Sequence, residues 1–206
     1  MPTGCVATAM AQIIYYWKYP ATYNYSIMPL DYSYNGNFEL ARLMVNIGTS
    51  VEMDYSVGGS NPDYDVLDPP PSCSDALKNT FQYKSSDEAS YDYLKVVANL
   101  NASEPVLLAA STDLHTFLGF NTGYYTDGHE WVCDGYQQVN YTWCPSNGSP
   151  GGGEGYLYLH MNWGWNESFN PNNSNGYYDF NYWSVLNGTV TENLLYNQSM
   201  TYNIHP

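Results

Sequence analysis

The chain has 206 residues, with 20 acidic against 5 basic side chains and a net charge of −15. That balance excludes a nucleic-acid-binding role, which needs a basic face for phosphates, and sets the chain against anionic lipid. A hydrophobic content of 44% supports the core of one large domain or two lobes. The 23 tyrosines and only 12% charged residues describe a surface solvated by hydroxyls and amides, a composition that leans extracellular or periplasmic.

The first element in chain order spans residues 4–18, where Val6, Met10, Ile13, Ile14 and Trp17 recur at helical spacing. Small Ala7, Ala9 and Ala11 allow close packing, Thr3 is the expected N-cap, and Tyr19-Pro20 the expected stop. A second helix fits Phe38–Ile47 through Leu40, Leu43, Met44 and Ile47, closed by Gly48. A short third fits Asp75–Phe81, and a fourth Ser90–Leu100 through Tyr91, Leu94, Val97 and Leu100. Between the second and third, Tyr55–Ser72 carries Gly58-Gly59-Ser60 and Pro69-Pro70-Pro71. That stretch is long for a structureless loop and reads as a functional or variable insert.

From about residue 104 the pattern changes to strands: Pro105–Ala110, Glu130–Tyr136 and Tyr156–Trp163, with shorter candidates at Gly176–Phe180 and Met200–Ile204. The segment Cys144–Gly155, rich in Gly, Asn and Ser, reads as a long hairpin loop. Helices first and an antiparallel sheet after is an α+β order, in one domain over residues 1–206. Its helical part covers about 1–103 and its β-rich part about 104–206. No internal repeat occurs. No run approaches the roughly 20 apolar residues of a membrane span, so no membrane insertion is expected. Met1-Pro2-Thr3-Gly4 has no basic region and apolar core of a signal peptide, so the protein is either cytosolic or continues upstream.

The four cysteines, Cys5, Cys73, Cys133 and Cys144, form no CxxC pair and have no histidine at metal-ligand spacing. No metal or other cofactor is expected. A Cys133–Cys144 bridge is compatible with the sequence, and buried free thiols are the simpler reading. Cys5 falls in the first turn of the first helix, where unpaired N–H groups and the helix dipole favour a thiolate nucleophile. The alternative is a small apolar residue packed at a helix start.

A thiol nucleophile needs an imidazole partner. Of the four histidines, His205 lies in the tail and His115 in a polar loop. His129 follows Thr126-Asp127-Gly128 at a strand start, 124 residues after Cys5, where it can project from a rigid edge. His160 competes, either as the base or as a satisfied core histidine. It ranks second because it lies mid-strand among bulky residues, where a base has little access. The base must also be oriented, and Asn162-Trp163-Gly164-Trp165 offers an amide acceptor, shielding indoles and a glycine that lets backbone pass close. Taken alone, that segment reads equally as a strand end packing the core.

Thr3-Gly4-Cys5-Val6-Ala7-Thr8-Ala9-Met10-Ala11-Gln12-Ile13-Ile14, ending in Tyr19-Pro20, resembles the nucleophile segment of the streptopain family of papain-like cysteine peptidases. The resemblance continues through Val51–Tyr55, Ala76–Tyr83 and Glu104-Pro105-Val106. Gly128-His129 with Asp134-Gly135 is similar to the family's histidine segment, and His160–Trp165 with Asn175–Tyr178 to its closing motif, so that similarity covers roughly residues 3–180.

The resemblance implies a papain-like two-lobed fold, secretion, and a cysteine endopeptidase made as a zymogen with an N-terminal propeptide. Its substrates would be polypeptides, with a preference for hydrophobic residues near the scissile bond. Cys5 would be the nucleophile and His129 the general base and acid, with Asn162 and Trp163 beside the histidine to orient it.

Three departures stand out. The family carries an oxyanion-hole glutamine a few residues before the cysteine. This glutamine, the propeptide and the signal are expected upstream of Met1, and losing one oxyanion donor costs ~10²–10³ in rate. Glu130 follows the histidine where the family has something small and neutral, and Leu114–Tyr125 lengthens the approach to His129, making it the expected cleft rim. Two other classes share these residues: an inactive relative binding peptide or glycan through its aromatic surface, and a thiol amidase or acyltransferase.

Overall fold

In a computed structural model, residues 3–29, 37–57, 59–62, 69–117, 120–146, 151–165 and 175–206 are described, with backbone only over 114–117 and 120–127. The first half holds helices α1 (Cys5–Trp17), α2 (Phe38–Ser50), α3 (Cys73–Asn79) and α4 (Tyr93–Asn101). Among them lie the short strands β1 (Met53–Tyr55), β2 (Ser60–Pro62) and β3 (Ser85–Ser90). The second half is β4 (Val106–Phe117), β5 (Phe120–Trp143), β6 (Gly152–Asn162), β7 (Gly176–Asp179), β8 (Ser184–Asn187), β9 (Val190–Asn193) and β10 (Tyr196–His205). The fold is α+β, built on a six-stranded antiparallel sheet in the order β3-β10-β4-β5-β6-β7.

Apolar residues separate onto the two faces of this sheet. One cluster packs α1, α2 and α3, through Met10, Ile13, Ile14, Leu43, Ile47 and Leu77, against Leu107, Val132 and Ile204. The other joins Val96 of α4 to Leu108, Trp131, Met161, Trp163 and Trp183. Successive residues of β5 therefore face opposite ways, Trp131 into one core and Val132 into the other, as strand geometry requires. No helix among the described residues is long and apolar enough to cross a membrane.

Several local expectations are corrected. Gly4, not Thr3, caps α1, and no side chain serves as the cap. The backbone there has φ 81° and ψ 149°, and a Cβ would lie 2.7 Å from the Ser60 carbonyl oxygen. Only glycine fits, and Thr3 bonds Thr8 instead (Oγ1–Oγ1 3.2 Å). Gly48 does not close α2, which runs on to Ser50. It lies within the helix because the Tyr55 hydroxyl occupies the space a Cβ would need. His115 belongs to strand β4 rather than a loop, and its side chain lies outside the described residues. The expected strands at Pro105–Ala110 and Glu130–Tyr136 are segments of strands of 12 and 24 residues. Of the expected rim Leu114–Tyr125, residues 114–117 and 120–125 belong to the outer part of the β4–β5 pair, with Leu114 opposite Tyr125; its side chains, and residues 118–119, lie outside the described residues. Trp143 lies opposite Gly152, so β5 and β6 flank the expected Cys144–Gly155 loop, but Gly152–Gly155 belong to β6 rather than to a loop; residues 147–150 lie outside the described residues. All four cysteines are free, Cys133 buried and Cys144 exposed.

Candidate active site

Cys5 is the first residue of α1, placed there by the glycine cap. Thr8 donates to the Gly4 carbonyl through both its amide (3.2 Å) and its hydroxyl (2.8 Å), which fixes the first turn. Backbone N–H groups of Glu130, Val6 and Cys5 itself point at the sulfur and favour its thiolate. Burial and the negative charge of Glu130 outweigh them, so the Cys5 thiol is pushed up from its ordinary value. The helix start alone therefore does not make a thiolate here, contrary to the expectation from sequence.

His129 sits on β5 opposite Ala110 of β4. Its Nε2 lies 2.9 Å from the Trp163 carbonyl oxygen. A carbonyl only accepts, so Nε2 carries the hydrogen and Nδ1 is the free basic nitrogen. The imidazole is flanked by indoles, with ring centroids 4.9 Å from Trp165 and 5.9 Å from Trp131, both near parallel. Burial pulls its pKa down to about 4, against the opposing pull of the Trp163 carbonyl. Thiol and imidazole thus both rest neutral at pH 7.

Cys5, His129 and Trp165 line one cavity of about 920 Å³, walled also by β4 residues Ala109–Asp113 and by the β8–β9 hairpin. Asn162 and Trp163 stand behind it. Trp163 is buried and orients the histidine through its backbone carbonyl, a contact that residue type cannot announce. The Asn162 side chain is engaged elsewhere: its Oδ1 accepts from Gln12 Nε2 (3.4 Å) and from the Gly164 amide (3.2 Å). It ties the end of β6 to α1 and so acts on His129 through the backbone. Gly164, at φ 73°, passes so close to α1 that a Cβ would lie 3.1 Å from Thr8 Cγ2. Asn175 Oδ1 accepts from the Trp163 amide (2.9 Å), holding the same peptide from its other side.

The remaining histidines lie elsewhere. His160 is half-buried rather than enclosed by bulky neighbours; its Nδ1 is 2.5 Å from Asp134 Oδ1 and its ring meets the edge of Tyr177. It does not line the Cys5 cavity. His205 packs edge-on against Trp17. Sequence reasoning noted Glu130 as a departure but gave no sign of its burial. The Cys73 thiol donates to Glu130 Oε1 (3.0 Å), and burial raises the Glu130 carboxyl to about 7. Among the described residues no group of three or more His, Cys, Asp and Glu side chains has the arrangement to hold a metal ion.

A helix-borne thiol and a strand-borne, backbone-anchored imidazole lining one cavity are the pair of groups that thiol-dependent hydrolases use. A model of the Peptidase C10 family matches residues 1–39 and 21–178, and the chain belongs to that family, the streptopain family of cysteine peptidases. The chain is also similar to the thiol protease/hemagglutinin PrtT of Porphyromonas gingivalis, at 26% identity over 199 residues, 82% of this chain. It spans about one fifth of the length of that relative (20%).

Proposed function

We propose that the chain is the peptidase domain of a cysteine endopeptidase with a papain-like two-lobed arrangement, acting on polypeptides through an acyl-enzyme. The observation that carries this reading is the shared cavity, lined by both Cys5 and His129, with the histidine's Nε2 held by the Trp163 carbonyl. From the neutral resting pair, His129 Nδ1 takes the thiol proton as Cys5 Sγ attacks the scissile carbonyl carbon. Amide N–H groups at the start of α1 would supply donors to the developing oxyanion. The C–N bond breaks as the imidazolium returns its proton to the leaving amine. Water, deprotonated by the same nitrogen, then attacks the thioester, the C–S bond breaks, and the imidazolium returns the proton to the Cys5 sulfur. Trp131 and Trp165 keep bulk water off the imidazole. Family membership supports extending the reading to a secreted or cell-surface enzyme made with an N-terminal propeptide.

The test is hydrolysis of a fluorogenic peptide set by the full-length gene product. Cys5→Ala and His129→Ala should each abolish turnover while melting within a few degrees of wild type. Turnover that survives Cys5→Ala would overturn the reading.

A further inference from the structure

A second cavity, of about 230 Å³, adjoins the first, and Val6, Pro62, Ala109, Glu130 and Ser199 line both. Its walls are largely apolar, from Pro70, Pro71, Leu107 and Met200 among others, and its two acids are Glu130 and Glu88. Among the described residues no lysine or arginine lines it. Resting on the peptidase reading above, we propose that this cavity is a specificity subsite for the cationic side chain of a lysine or arginine near the scissile bond, with Glu130 as its counter-ion. This departs from the hydrophobic preference that the family resemblance implies.

Three features favour a cation over an apolar occupant. First, apolar walls with a carboxylate among them match a methylene stem ending in a charged head. At about 30 Å³ per water-sized group, the volume of about 230 Å³ holds about eight such groups, the scale of one long side chain. Second, among the described residues the side-chain donor to Glu130 is a weak one, the Cys73 thiol. An apolar side chain entering would strand an ionised carboxylate away from water, whereas a guanidinium or ammonium would pair with it. Third, among the described residues the groups facing Glu130 are Cys73 from α3, Cys5 from α1 and Glu88 from β3, none of them a cation. Glu130 also lies next to the nucleophile, its backbone N–H on the Cys5 sulfur, so a side chain held here belongs to a residue close to the cleaved bond.

Burial holds Glu130 near pH 7, so the subsite changes character across the neutral range. Below that value the carboxyl is protonated and the cavity is uncharged; above it the anion selects cations. Preference for a basic side chain therefore rises with pH, and binding below pH 7 displaces a proton from Glu130.

The experiment is a positional-scanning library of fluorogenic peptides cleaved by the full-length protein, comparing lysine and arginine with norleucine at each position. At pH 8 one position should favour the basic residues by about tenfold or more in kcat/KM, since a buried polar group left unpaired is strongly discriminating. The ratio should shrink toward one at pH 5.5, and in Glu130→Gln it should be near one at every pH. Glu88→Gln, at the exposed acid, should change it by less than about threefold. Cleavage with no basic preference, or a ratio that ignores both pH and Glu130→Gln, overturns the subsite while leaving the peptidase reading intact. No cleavage of any peptide overturns both. Should Glu130→Gln fail to fold, the pH dependence of the wild-type ratio decides.

Discussion

Replacing Gly4 by alanine tests whether the nucleophile depends on the glycine that precedes it. The position has φ 81° and ψ 149°, a region essentially closed to residues with a Cβ, and the strain costs about 1–3 kcal/mol. The new methyl would lie 2.3 Å from Met53 Cε and 2.7 Å from the Ser60 carbonyl oxygen. Met53 is a flexible side chain and can swing aside. Ser60 is backbone in β2 and cannot move without disturbing its pairing with Tyr55, so overpacking adds about 1–3 kcal/mol. A total of about 2–6 kcal/mol lowers the melting temperature by roughly 4–24 °C for a chain of this size. Gly188→Ala is the control, because φ is 64° there but a Cβ would meet open space. It should cost only the backbone strain, about 1 kcal/mol. Calorimetry or circular dichroism melts measure both. A Gly4→Ala protein melting within two degrees of Gly188→Ala would refute the steric argument.

Glu130 and His129 make opposite contributions to the pH dependence of stability. The carboxyl is raised to about 7, so the folded state binds the extra proton between pH 4.5 and 7 and stability falls as pH rises. His129 is lowered to about 4, so the unfolded state binds the extra proton between pH 4 and 6.5 and stability rises with pH. Glu130→Gln removes the first effect, and its stability relative to wild type should grow by roughly 2–3 kcal/mol from pH 4.5 to 7 in urea melts. A pH-independent difference would contradict the burial of Glu130. His160→Ala breaks a half-buried pair with Asp134 and an edge contact with Tyr177 and should cost about 1 kcal/mol while turnover is retained. Asn162→Ala removes the acceptor shared by Gln12 and Gly164. It should cost about 1–2 kcal/mol and lower kcat several-fold with little change in KM, because the Trp163 carbonyl loses its brace; an unchanged kcat would show that the brace is structural only.

What could be read from the sequence was what depends on side-chain type and spacing. The apolar residues from Val6 to Trp17 announced α1 because one face of a helix must be buried, and Cys5 stood at its start. The bulky alternation near Tyr156–Trp163 announced β6. β3 was not legible: Ser85–Ser90 is polar and lies at a sheet edge, where no hydrophobic alternation is required. Gly48 was misread as a helix end because a glycine needed for close approach looks the same as one needed for a turn. At the site, Cys5 and His129 were visible as residue types. The partner of His129 was not, because it is a backbone carbonyl, and the sequence pointed instead to the neighbouring amide of Asn162. The burial of Glu130 depends on α3 and β3 closing over it, a tertiary fact with no local signature.

The most direct test of the account is covalent labelling of the full-length protein with a peptidyl epoxide, the site mapped by mass spectrometry, in a Cys144→Ser background that removes the exposed thiol. The account predicts one label per chain, on Cys5, absent in Cys5→Ala and strongly slowed in His129→Ala. A label that persists in Cys5→Ala, or one whose rate ignores His129, would contradict the assignment of Cys5 and His129 as nucleophile and base.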